Sequence, residues 1–224
     1  MQIVLSDQFK AAFPAGVFGV LICRGCPNRP RAAALAGSRR AVETALRERF
    51  AARPIEADPV AGAYAAYFKR HGQRYPVAHQ VRTVLGGRPI ESRSALVETM
   101  FTAELDSLVL TSGHDLSALT PDLLVDVARP GEAYLKINGK ERVLTPGDMV
   151  VRDAEGVIAC VLYGPDFRTR LRDDSRDALF GAWCPVGLEP EVARDHLRNL
   201  AELVRLEWPM AQVDEPRALA SAAD

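Results

Sequence analysis

The feature that most limits the fold of this chain is a change of hydrophobic period near Leu119. Before it, apolar residues recur as on a helix. After it, they alternate as on a strand. In the first half, Ala41, Val42, Ala45, Leu46 and Phe50 fall on one stripe of a helix expected over Arg31–Phe50. Asp58-Pro59 is a helix start, a capping carboxylate before a proline that is already at a helical φ. Ala61, Tyr64, Ala65 and Phe68 follow at i, i+3, i+4 and i+7, and His71-Gly72 should end that helix. Pro76–Leu85, closed by Gly86-Gly87, reads as a short helix. Ser94 caps a third expected over Ala95–Leu110, with Val97, Met100, Phe101 and Leu108 on its stripe.

Two strands, Gln2–Leu5 and Gly16–Cys23, flank a short helix at Asp7–Phe13. In the second half, strands are expected at Leu123–Ala128, Ala133–Ile137, Glu141–Leu144, Met149–Arg152, Val157–Tyr163 and Ala178–Cys184. Asn138-Gly139 predicts a type I′ hairpin turn. Glu191–Leu206 is an amphipathic helix, and Pro209–Asp224 lacks periodicity and reads as a frayed, flexible tail. The result is α+β: a helical N-terminal half packed on a mostly antiparallel sheet. Residues 1–80 form an α/β lead-in to the same domain, 81–208 its main body and 209–224 the tail.

The 224 residues suit one globular domain. With 28 Lys+Arg against 29 Asp+Glu the net charge is −1, which excludes a globally basic nucleic-acid coat but leaves room for a local basic face. The longest apolar run, Gly16–Cys23, is far short of the ~20 residues a membrane span needs. No basic stretch precedes an apolar one at the start, so the expectation is a soluble, cytoplasmic protein without a secretory signal or membrane association.

Several groups could carry chemistry. Cys23-Arg-Gly-Cys26 could be a redox dithiol or half a metal site, but no second Cys-x-x-Cys exists and no His is near, so no metal and no cofactor are expected. Cys160 and Cys184 read as small apolar residues of strands. His114 lies in Leu110-Thr-Ser-Gly-His-Asp115, read as a tight loop that either binds a ligand or stops the helix while Asp115 caps the next turn. Phe68–Arg93 holds Lys69, Arg70, Arg74, Arg82, Arg88 and Arg93 against one acid, Glu91, with Tyr67 and Tyr75 interleaved. That is a footprint for phosphates and stacked bases, or a solvated face of two helices. Tyr163-Gly-Pro-Asp-Phe-Arg-Thr169 leaves a strand abruptly and presents polar side chains on a loop.

An ordered series of segments resembles the B3/B4 domain of the bacterial phenylalanyl-tRNA synthetase β subunit, as found in solo B3/B4 proteins. It comprises Ser94-Ala-Leu-Val-Glu-Thr-Met100, Gly113-His-Asp-Leu-Ser-Ala-Leu119, Val125-Asp-Val-Ala-Arg-Pro-Gly-Glu132, Ile137-Asn-Gly-Lys-Glu-Arg-Val-Leu144, Gly147-Asp-Met-Val-Val-Arg-Asp153 and Arg172-Asp-Asp-Ser-Arg-Asp-Ala-Leu179. The resemblance covers Val81 to Val186 and implies an α+β fold, contact with tRNA or aminoacyl-tRNA, and editing by hydrolysis of mischarged aminoacyl-tRNA. At the position of the family's His in its His-Ala-Phe-Asp segment this chain has Ser112, with His114 two residues later, and the family's editing-site Glu has no counterpart in Gly164–Arg170.

A pocket is then expected between the Ala95–Leu110 helix and the sheet. Met100, Tyr163, Gly164, Asp166, Arg168 and Thr169 would bind substrate in it. His114 would orient or deprotonate the attacking water, aided by Asp115, since an imidazole titrating near neutrality suits that work. Lys69, Arg70, Arg74 and Arg82 would hold the RNA backbone. The alternatives are a non-catalytic module for a free amino acid or other small ligand, and a protein-interaction domain.

Overall fold

The computed structural model describes residues 1–185 and 187–221. In chain order the elements are β1 (Ile3–Leu5), α1 (Asp7–Ala12), β2 (Val17–Arg24), α2 (Ala36–Arg49), α3 (Pro59–Arg70), α4 (Pro76–Leu85), α5 (Ala95–Ser107) and β3 (Thr111–Asp115). There follow β4 (Leu123–Val127), β5 (Ala133–Leu135), β6 (Glu141–Val143), β7 (Met149–Asp153), β8 (Gly156–Cys160), β9 (Gly164–Pro165), β10 (Ala178–Cys184), α6 (Pro190–Glu207), β11 (Gln212–Val213) and β12 (Arg217–Ala220). The α+β reading holds.

One sheet runs β1-β4-β7-β8-β9 and a second runs β11-β2-β10-β3, with β12 also on β2. β1 lies parallel to β4, Ile3 opposite Leu123; the other pairings are antiparallel. One apolar core runs from Ile3 to Trp208 and takes in both sheets and the helices. A smaller cluster of Ala128, Tyr134, Leu144, Val150, Val157 and Cys160 lies under the β5–β6 hairpin. No helix is long and apolar enough to cross a membrane among the described residues.

Four expectations need correction. The 209–224 segment is not a frayed tail over its described part: Gln212-Val213 and Arg217–Ala220 pair with β2. Their short runs have no period to read, and the partner strand supplies the order. Thr111–Asp115 is not a loop but a fully buried strand beside β10. The helix before it ends three residues early because Leu108 takes a left-handed φ of 63° and donates its N–H to Glu104 O. The hairpin turn is not type I′: Gly139 has φ +75°, but Leu108 is the one non-glycine residue with positive φ among the described residues, so Asn138 does not share it. Gly139 N–H bonds Lys136 O, and Lys136 N–H bonds Lys140 O, as in a type I turn followed by a left-handed glycine.

Asp58 shows how tightly the helical half is tied. It is 2% exposed; Oδ1 accepts from the N–H groups of Val60 and Ala61, and Oδ2 accepts from Arg49 at 2.6 Å. Asp58→Ala removes the cap and strands two guanidinium groups, so a loss of about 2 kcal/mol is expected in urea unfolding. Asp58→Asn should recover part of it. Equal losses in both would show that the cap contributes nothing.

Candidate functional site

Ser112 and His114 lie on β3, at the edge of the second sheet, where the segment after β9 crosses from the first. Trp183 Nε1–H on β10 donates to Ser112 Oγ at 3.1 Å, which leaves the Ser112 proton for His114 Nε2, also at 3.1 Å. On the other side of the ring, Nδ1 is 2.7 Å from Thr169 Oγ1, whose hydroxyl donates to Asp166 Oδ1. The direction of this chain fixes the tautomer with the proton on Nδ1. Burial pushes the imidazole pKa down to about 4. His114 is 1% exposed and neutral, and both nitrogens are committed.

The expected general base is therefore placed inside the protein's own hydrogen-bond network, Nδ1 on Thr169 and Nε2 on Ser112. Asp115 is likewise spent. Its Oδ1 accepts from the N–H and hydroxyl of Ser117, and its Oδ2 from Ser175 at 2.6 Å and Arg172 at 3.3 Å. Burial pushes this carboxyl up, but those hydrogen bonds and the Arg172 charge outweigh it and hold the pKa below the usual range. Arg168 clamps both oxygens of Asp153 at 2.8 Å and donates to Ala118 O at 2.7 Å, so its guanidinium ties loops together. Met100 is buried, and its sulfur lies 3.3 Å from where a Cβ on Gly113 would stand, with Leu171 closer still. Gly164 opens β9 at φ +80°. Tyr163 faces elsewhere: its hydroxyl meets Thr145 Oγ1 at 2.8 Å and Arg142 covers its ring.

The structure thus brings His114, Asp166 and Thr169 into one network, with Arg168 and Asp115 beside it. Their polar atoms satisfy one another across the junction of two sheets. Trp183→Phe keeps the ring but removes the donor to Ser112, and should cost about 1–2 kcal/mol in urea unfolding. An unchanged midpoint would mean that Ser112 has found another donor.

The expected RNA-backbone residues divide between two hollows. Lys69 and Arg70 line one of about 600 Å³ with Ala63, Ala66, Tyr67 and Pro185. Arg74 and Arg82 line another of about 490 Å³ with Glu56, Gln73 and His79, and Arg82 is paired with Glu56. Tyr67 and Tyr75 are buried, 1% and 4% exposed, so neither offers a ring face to a base. Tyr67 donates to Asp148 at 2.6 Å, and Tyr75 stacks on Tyr64 with centroids 4.7 Å apart.

A cleft of about 710 Å³ opens at the N-terminus of α5, lined by Asn28, Arg29, Pro30, Arg31, Ser92, Arg93 and Asp173. Its frame is firm. Asn28 donates to Arg172 O at 2.8 Å and accepts from Ser94 Oγ and Leu96 N–H. From below, fully buried Glu98 accepts from Ala32 N–H at 2.7 Å with Arg39 3.4 Å away. Arg29 reaches Glu207 at 3.5 Å and lies over Trp208; Arg31 meets Glu91 at 3.3 Å on the exposed surface. Arg93 has no ion pair among the described residues. Three guanidinium groups thus stand against one lining carboxylate, two of them paired with Glu207 and Glu91, which do not line the cleft. Sequence reasoning counted Arg93 in a basic region but passed over Arg29 and took Arg31 only as the start of the helix expected over Arg31–Phe50.

Cys23 and Cys26 are buried; desolvation pushes both thiols up, Cys26 to about 11, away from the thiolate that redox or metal chemistry needs.

A family model described as B3/4 domain matches residues 86–197, half of the chain. The chain is 34% identical over 90 residues to a phenylalanine–tRNA ligase β subunit of Mycobacterium leprae (strain TN). Those residues are 39% of this chain and 11% of that subunit, so the chain spans a small part of the relative's length. In fold it is similar to an N-terminal fragment of the phenylalanyl-tRNA synthetase β subunit from Pyrococcus horikoshii. The TM-score is 0.54 at 10% identity, over 95% of this chain and 50% of that one. With its α+β architecture, and with half its length matched by one family model, the chain belongs to the B3/4 domain family.

Proposed function

We propose that this protein binds aminoacyl-tRNA and takes the 3′ end in the cleft at the N-terminus of α5. The observation that carries this is the placement of Arg29, Arg31 and Arg93 around a 710 Å³ opening within a rigid frame. Arginine forks suit phosphate oxygens, and the relative with 34% identity is a tRNA ligase subunit. Lys69, Arg70 and Arg74 would add backbone contacts further along the acceptor stem.

A second reading, hydrolysis of a mischarged aminoacyl ester, is favoured by Asp173, the one carboxylate among the cleft's lining residues. Asp173 would orient a water and take its proton as the oxygen attacks the ester carbonyl. Arg93 would face the oxyanion; as it collapses the bond to the ribose oxygen would break, that oxygen taking the proton from Asp173, to release amino acid and tRNA.

The test is binding of labelled tRNA across a salt series, with deacylation of a panel of mischarged tRNAs alongside. Binding that weakens steeply with salt supports the reading. A thermal shift with free amino acids and none with tRNA overturns it in favour of a small-ligand module. If tRNA binds and Asp173→Asn deacylates as fast as the wild type, binding stands and the role of Asp173 falls.

A further inference from the structure

Four large apolar side chains stand exposed around one hairpin: Leu135 at 52%, Ile137 at 48%, Val143 at 59% and Phe167 at 39%. Phe167 joins them because its N–H donates to Leu135 O, which adds its segment to the β5 edge. Two guanidinium groups lie on rings here. Arg142 covers Tyr163 at 4.5 Å and Arg170 covers Phe167 at 3.6 Å. Lys136 stands 6.0 Å from the Tyr163 ring, and Lys140 sits in the turn. Among the described residues none of these four cations has an ion pair, whereas Arg129, Arg152, Arg168 and Arg172 in the same half of the chain all do.

We propose that the β5–β6 hairpin, with Arg142 on Tyr163 and Arg170 on Phe167, is a second docking surface, and that it takes single-stranded RNA. The proposal rests on the RNA reading of the cleft for the identity of the polyanion. A guanidinium held flat on a ring is pre-organised. Its outer face stacks a base, and its edge N–H groups remain for phosphate. Exposed apolar side chains beside it accept the flat faces of unpaired bases, which a duplex keeps hidden. In the hairpin three unpaired cations, Lys136, Lys140 and Arg142, stand against one acid, Glu141; in the adjoining segment Arg170 is unpaired while Asp166 is buried, which argues for a polyanion over a protein surface of mixed charge. The chain from Phe167 runs through Arg170 and Arg172, whose carbonyl Asn28 holds, to Asp173 at the cleft wall.

The experiment is fluorescence anisotropy of the whole protein with a short labelled single-stranded RNA, the same sequence as a duplex, and uncharged tRNA. Wild type should prefer the single strand to the duplex. Phe167→Ala should weaken single-strand binding by about 5- to 150-fold, the effect of one lost stacked base. Phe167→Leu, which keeps apolar bulk without the ring, should bind as poorly while melting like the wild type. Lys136→Ala with Arg142→Ala should flatten the salt dependence by about 1.4 in log–log slope.

Equal affinity for strand and duplex, or wild-type binding by both Phe167 variants, overturns the proposal. So does a wild-type dimer that Val143→Asp dissolves, since the face then belongs to a second copy. If tRNA binding depends on Arg31 and Arg93 but not on Phe167, the hairpin proposal fails and the cleft stands. If tRNA does not bind but the single strand binds through Phe167, the cleft reading fails and the hairpin stands.

Discussion

Replacing Arg29, Arg31 and Arg93 together by Ala is expected to lower tRNA affinity by about 30- to 100-fold near physiological salt. The size follows from counterion release. Each neutralised phosphate contributes roughly 0.7–0.9 to the slope of log K against log salt, so the triple variant should lose about two to three units of slope. Arg31 does not depend on its partner for position, since Arg31 and Glu91 are both more than half exposed, where an ion pair contributes little; Arg29 instead meets Glu207, whose side chain is buried. Arg29 is the exception in packing, because it also covers Trp208. Melting of the variant therefore has to be measured beside binding. Arg194→Ala with Arg198→Ala, on the exposed face of α6 outside the cleft, is the matched control for bulk charge. Loss of affinity in that pair equal to loss in the triple variant would reduce the cleft to general electrostatics.

The second large effect is on stability against pH. His114 and His196 are buried with folded pKa values pushed down to about 4, so the unfolded chain binds protons that the fold refuses between about 4 and 6.5. Their contribution is complete above 6.5 and is lost as pH falls. Glu104 is the reverse case. Burial raises its pKa to about 8, with a hydrogen bond from Thr111 N–H opposing, so its fold-favouring proton is lost as pH rises from 4.5 through 8. Asp148, raised to about 6 by burial, acts in the same direction at lower pH. Two protons gained against two lost leave a plateau between roughly pH 5 and 6.5, with a decline on both sides. Above 6.5 only the Glu104 effect remains among these groups, about 1.4 kcal/mol per pH unit, or about 2 kcal/mol by pH 8. Glu104→Gln keeps the acceptor for Thr111 and removes the titration, so denaturant unfolding of this variant should be flat over that range. A variant that still declines like the wild type would assign the alkaline limb to another group.

The helices and most strands were legible because their signals are local. Asp58-Pro59 and Ser94 start helices by chemistry that lies within four residues, and both caps are made. β3 was not legible: Thr111-Ser-Gly-His-Asp115 carries no apolar alternation, and its polar side chains are satisfied by Trp183 and Thr169 across long sequence gaps, with Asp166 holding Thr169 in turn. The same fact hid the fate of His114. A histidine among Gly, Ser and Asp looks like a ligand loop until its neighbours in space are known. The cleft was illegible for a related reason. Arg29 and Arg31 come together with Arg93 only because Glu98 pins Ala32 and Asn28 caps the start of α5. Each of those contacts spans more than sixty residues.

The strand pairing also sets an order of events at the ribosome. β2 is an eight-residue apolar strand made early, yet its neighbours are β10 and the closing strands, with Cys23 opposite Ala178 and Val20 opposite Arg217. β1 in turn waits for Leu123. At about 5–20 residues per second, the emerging β2 stays without its partners for on the order of ten seconds. Helices α2, α4 and α5, which pack on one another, can consolidate meanwhile. The nascent chain therefore carries a sticky, unpaired ribbon ahead of its first folded unit. Burial of that ribbon waits on the last strands to be made, so truncation before β10 should leave β2 without a partner.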